Sequence, residues 1–255
     1  MLNVKGLKMS TNTQNNTAVE EFSLDDVEVK SNKIEKFKVE KDYRYRVGLP
    51  LINDNGKVII KKVDFFTLEK DEGTPEAKFY SWRASGDPEL DRLARERGAS
   101  LKTRYVTLFV VYRTNKAGQP LNPLSWDILP VVMDGDKVAA LKEVNAEWDL
   151  ATIDLSITTK NAQYQYHTYT PLKTAIWKLP AGDPSLEKLG LSAPITAEVT
   201  AAAKAAAVDM VDAVAYERSA DWIKQALGLT STPEAAVGQP ANIDEAFNDL
   251  EVSDI

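Results

Sequence analysis

The sequence predicts a mainly β, α+β protein: a β-barrel elaborated by two short helices, then an Ala-rich helical segment and an acidic tail. Three observations point there. From Lys36 to Trp177, β-branched and aromatic runs alternate with a period of two and are separated by Asn/Asp/Gly/Pro turns. Only the stretches at 87–98 and 134–144 switch to helical spacing within that span. Beyond Leu179 the strand pattern stops, and residues 195–227 are Ala-rich and free of Gly and Pro.

The elements follow in order. Residues 1–29 open with an Asn/Thr/Ser-rich stretch that has too little apolar surface to offset the entropy of ordering, and read as a flexible arm. KFKVEKDYRYRVGLPLI reads as a strand in which Tyr43 and Tyr45 alternate with Arg44 and Arg46, one face aromatic and the other cationic. The Asn53-Asp54-Asn55-Gly56 turn and the KVIIKKVDFFTL run then predict a hairpin with it. KFYSWR, at 78–83, reads as an edge strand. DPELDRLARERG is a helix with Pro88 in its first turn, acids at its start, arginines at its end and Gly98 as its stop. Tyr105–Tyr112 is nearly continuous in apolar residues and is expected at the centre of the sheet. LSWDILPVV follows as a strand in which Pro130 suggests an edge or a bulge. GDKVAALKEV is the second helix, ATIDLSITT alternates like a half-exposed strand, and YQYHTYT returns after the Asn161–Gln163 turn.

Composition narrows the function classes. With 255 residues and 44% hydrophobic content the chain can bury a sizeable core. No run of about 18 apolar residues occurs and the polar N-terminal stretch lacks an apolar signal region, so the expectation is a cytoplasmic protein with no membrane partner. The absence of cysteine removes thiolate metal sites and cysteine nucleophiles, and His167 is the one histidine. No GxxxxGK[ST] or GxGxxG loop is present, and the Asp134 string lacks the later ligands of a calcium loop. No catalytic residues, metal or cofactor are therefore expected, and the chain does not read as an enzyme.

The net charge of −7 is unevenly spread: residues 1–29 carry −3, residues 30–178 carry +5 and residues 179–255 carry −9. Within the basic middle, aromatic residues interleave with cations: Tyr43, Arg44, Tyr45 and Arg46; Trp82 and Arg83; and Lys160, Tyr164, Tyr166 and Tyr169. Single-stranded nucleic acid asks for that mixture, since bases stack on aromatic faces while phosphates follow a cationic track. The tail IDEAFNDLEVSDI sets Asp244, Glu245 and Asp249 beside Phe247 and Leu250, the make-up of a short protein-docking segment behind a flexible linker.

Four features taken in order resemble the single-stranded-DNA-binding (helix-destabilising) proteins of tailed bacteriophages: YRYRVGLP, RYVTLFVVYR, WDLATIDLSITT with its return YQYHTYTP, and a linker ending in an acidic tail. The resemblance implies an OB-type barrel, here without the cysteine-dependent zinc insertion of some members. It also implies coating of exposed single strands during phage DNA replication, recombination or repair, with a supporting role in transcription in some cases. Partners in those processes would be met through the tail. The expected organisation is an arm at 1–29, an OB-like single-stranded nucleic-acid-binding domain at 30–178, a linker and helical segment at 179–228, and a flexible acidic tail at 229–255. The rival reading is a virion structural or assembly protein that self-associates through the barrel and the helix.

Overall fold

The computed structural model describes residues 34–70, 77–159 and 167–229. These form an α+β fold built on one antiparallel sheet of seven strands: β1 (Tyr45–Gly48), β2 (Lys61–Lys70), β3 (Lys78–Arg83), β4 (Ser100–Tyr112), β5 (Trp126–Met133), β6 (Asp154–Thr159) and β7 (His167–Leu172). Five α-helices accompany it: α1 (Pro88–Glu96), α2 (Gly135–Glu147), α3 (Pro184–Lys188), α4 (Thr196–Ala206) and α5 (Ala220–Ala226). None is long and apolar enough to cross a membrane.

β4 is the axis, as its apolar run predicts. Val106, Leu108, Phe109 and Val110 are wholly buried because helices or loops cover both faces of the strand. One edge of β4 takes β5 along Tyr105–Tyr112. The other is shared end to end, by β2 along Ser100–Val106 and by β1 along Val110–Tyr112. β3 continues outward from β2, and β6 then β7 continue from β1. The order β3-β2-β4-β1-β6-β7 is an open path, and among the described residues no ladder joins its two ends.

This pairing corrects two sequence expectations. The Asn53–Gly56 turn closes a hairpin only a few residues long, with Ile52 opposite Val58 and the Ile59 N–H donating to the Leu51 carbonyl at 2.9 Å, and β1 and β2 do not pair with each other because each takes its own half of the β4 edge. β6 is more buried than a half-exposed strand: Leu155 and Ile157 point into the core and Asp154 is wholly covered from the other side, while beyond it Ser156 keeps 9% of its surface and Thr158 is partly exposed.

On one face of the sheet, Val47, Phe109, Val131, Leu155, Ile157 and Tyr169 pack against Val138 and Leu141 of α2 and against Phe37 and Val39. Each such side chain contributes about 1.5–3 kcal/mol by leaving water. The opposite face is covered by the segment that follows β7. Ala175–Trp177, Leu186, Ile195 and Val199 cover Val110 and Tyr112, while Ala203 and Met210 cover Val106 and Leu108. The expected boundary at residue 178 therefore falls inside a packed core. Gly48 permits this cover, since a Cβ there would lie 2.8 Å from the Trp177 indole.

Near β3 the chain passes round the edge of the sheet, where the Arg83 N–H donates to the Tyr216 carbonyl at 2.9 Å. α5 then joins α1 over Phe66, Leu68 and Trp82. α1 starts as its sequence predicts: Asp87 caps it by accepting from the N–H groups of Glu89 and Leu90, with Pro88 in the first turn.

Candidate nucleic-acid interface

The outward face of β1, β6 and β7 is left open beyond the edge of the C-terminal cover. Strand alternation puts Arg46 directly opposite Ser156, and Ser156 opposite Thr170, so that a guanidinium and two hydroxyls form one row across three strands. Arg44, exposed at the lead-in to β1, lies two residues along the same face. Together with Thr158, Leu172 and the Ala117–Pro120 turn, these residues line an open groove of about 350 Å³. Among the described residues no carboxylate lines it.

The two arginines are held differently. Arg46 donates through Nε to Asp154 at 2.8 Å and through Nη2 to the Thr174 carbonyl at 3.0 Å. Asp154 is wholly buried beneath the groove and also accepts from the Ile176 N–H at 3.0 Å and the Tyr112 hydroxyl at 3.3 Å. Burial pushes its carboxyl up to about 6, against the Arg46 charge and the three donors, which pull the other way. Burial, followed by the neighbouring Asp154, likewise drives the Tyr112 phenol well above its ordinary range. Arg44, by contrast, takes part in no ion pair among the described residues. The groove thus has one cation neutralised from below and one available to an incoming anion.

A larger recess, about 510 Å³, lies between β5 and the segment after α4. It carries Glu35, Asp127 and Asp209, and its one arginine, Arg113, is 3.5 Å from Asp127. That charge balance repels a polyanion, so the smaller groove is the better candidate.

The remaining expected contacts divide. Tyr43 is half-buried, its ring 4.6 Å from Tyr45, with its hydroxyl donating to the Thr114 carbonyl. Tyr45 faces the core beside Phe37 at 5.3 Å. The aromatic and cationic faces of this stretch are therefore separate, as the alternation predicts, but the aromatic face points inward. Trp82 needs correction as a stacking residue: it is 1% exposed, stacked on Phe66 at 5.6 Å and edge-on to Trp222. Tyr169 is likewise covered, edge-on to His167, and burial raises its phenol. Arg83 is engaged by Asp212 and, at 3.7 Å, by Glu217. At Trp82 and Arg83 the aromatic–cation pattern marks a core position with a neighbouring ion pair. Lys160, Tyr164 and Tyr166, like Asp244, Glu245, Phe247, Asp249 and Leu250 of the tail, lie outside the described residues.

Sequence reasoning missed Asp154, Ser156, Thr158 and Thr170. The available signal was alternation, which sets Asp154, Ser156 and Thr158 on one polar face of their strand; what covers Asp154 on that face comes from residues remote in sequence. Among the described residues no three His, Asp or Glu side chains converge as a metal site. Compared with models of protein families and with curated proteins, the chain matches none.

Proposed function

We propose that the chain is a non-catalytic, largely sequence-independent single-stranded-DNA-binding protein. Its binding domain is read as an OB-like barrel sheet of the kind used by the helix-destabilising proteins of tailed phages. The observation that carries this reading is the open β1–β6–β7 face, where Arg44 and a row of hydroxyls line a groove with no carboxylate among the described residues. A phosphodiester chain needs such a surface: cations to replace its counterions, and hydroxyl donors for phosphate oxygens. Coating of exposed strands during replication, recombination or repair is the corresponding role, with the acidic tail meeting protein partners.

The test is fluorescence anisotropy with labelled oligo(dT), oligo(rU) and duplex DNA across a salt series. Binding to oligo(dT) is expected at 50 mM salt and to weaken steeply as salt rises. Arg44→Ala should weaken it and make the log–log salt slope shallower by about 0.7, one phosphate contact on a single strand. No binding at 50 mM salt, or stronger binding to duplex, would overturn the proposal.

A further inference from the structure

The geometry points to the Thr114–Pro120 turn as a positioning device that holds the Arg44 side chain extended toward the groove; this rests on the reading of the groove as a strand-binding face. Arg44 is exposed and, among the described residues, has no carboxylate to orient it, so its long stem would ordinarily sample many rotamers and lose that freedom on gripping a phosphate. The turn removes much of the freedom in advance. A Cβ built at Gly118 would lie 2.6 Å from Cγ and 2.7 Å from Cδ of Arg44, so the backbone of the turn rests directly on the arginine stem. Only a residue without a side chain allows that approach, and the φ of 82° at Gly118 favours glycine for the same turn.

The turn is itself stiff. The Gly118 N–H donates to the Asn115 carbonyl at 2.9 Å, and the Asn115 side-chain oxygen accepts from the N–H groups of Ala117 and Gln119, both at 3.0 Å. Asn115 Nδ2 reaches Gln119 Oε1 at 2.9 Å. Two contacts tie the turn to the strand that carries Arg44: Thr114 Oγ1 donates to the Arg44 carbonyl at 3.1 Å, and the Tyr43 hydroxyl donates to the Thr114 carbonyl. Nothing in this arrangement consumes the guanidinium. The stem is fixed and the donor edge is left for the ligand, which is how pre-organisation raises affinity without a new contact.

A double-mutant cycle with oligo(dT) as probe tests this, using the full chain at low salt. Gly118→Asn keeps a residue that tolerates positive φ but adds the Cβ that displaces the arginine stem. Asn115→Ala loosens the turn without adding atoms. Each is expected to weaken binding roughly two- to tenfold, the range for immobilising one long side chain. In an Arg44→Ala background, which deletes the atoms the turn presses on, both losses should vanish. Losses of equal size in both backgrounds would mean that the turn acts only on the fold. Full affinity in Gly118→Asn and Asn115→Ala, with Arg44→Ala weakened, would also overturn positioning. An Arg44→Ala protein that binds as tightly as the parent would instead sink the reading of the groove itself. Should Gly118→Asn fail to fold, Asn115→Ala alone completes the cycle.

Discussion

Replacing Arg46 by Met should uncover the charge that the arginine now compensates. Asp154 is wholly buried and accepts three hydrogen bonds, one of them from Arg46. Its carboxyl rises from an ordinary 3.8 to about 6 even with the guanidinium beside it. At about 1.36 kcal/mol per unit, keeping it ionised in the folded protein already costs roughly 3 kcal/mol. Met fills the stem's volume but supplies no charge, and removing one partner of a buried pair costs about 3–5 kcal/mol.

The cost must depend on pH. A carboxyl with a raised folded pKa holds its proton in the folded state where the unfolded chain has already released it. The stability it contributes is present below about 4 and is lost as pH climbs through about 6. Without Arg46 the folded pKa moves higher still, and the loss continues above 6. The deficit of Arg46→Met against the parent should therefore be small near pH 5 and grow by pH 8 to at most about 2.7 kcal/mol, two pH units above the parent's value of about 6 at about 1.36 kcal/mol each. Urea denaturation followed by tryptophan fluorescence at both pH values measures it, and adding Asp154→Asn should flatten the difference. Equal deficits at pH 5 and pH 8 would refute the assignment of Asp154 as the charged partner under the groove.

Two further outcomes follow from burial. Trp82→Phe should leave the oligo(dT) affinity of the folded protein unchanged, because the indole is stacked on Phe66 inside the core, whereas Trp82→Ala should cost about 3–5 kcal/mol of stability in thermal or urea melts; loss of binding by the folded Phe variant would return Trp82 to the ligand surface. His167 is pushed down to about 4 by burial first and by Lys137 second, with Asp134 opposing. The unfolded chain therefore takes up the proton first as pH falls from 6.5, and stability from this group is lost toward pH 4. As the one histidine, it gives a single imidazole Hε1 resonance that should keep its neutral position at pH 5, and a midpoint near 6.5 would contradict its burial.

Much of the sheet was legible because burial on two faces leaves a local signature. The Tyr105–Tyr112 run reads as a central strand and is one, and the α1 cap follows from Asp87, Pro88 and the charge order along the helix. Partners were not legible, since pairing depends on contacts remote in sequence. The Asn53–Gly56 turn announces a hairpin with full local strength, yet β4 captures both flanking strands. The candidate site was legible in part. Alternation correctly puts Arg44 and Arg46 opposite Tyr45, but an aromatic beside a cation looks the same whether it stacks on a base or, like Trp82 and Arg83, fills the core next to an ion pair. Only the packing of residues 210–227 against β3 separates the two readings.

The end-to-end sharing of the β4 edge bears on the order in which the molecule assembles. β4 pairs with β2 and with β5 over short stretches of intervening chain, and β2 meets β3 across a single loop. β1 must wait for β6, with Tyr45 opposite Ile157 and Arg46 linked to a carboxylate 108 residues away. Closing so long a loop is the entropically costly step, and contacts of this separation slow folding. A nascent chain can lay down the β2–β3–β4–β5 half of the sheet while its cationic lead strand still lacks a neighbour on one side. The groove then takes shape only once β6 and β7 have been made, and a chain that stops before Asp154 presents Arg46 without the carboxylate that holds it.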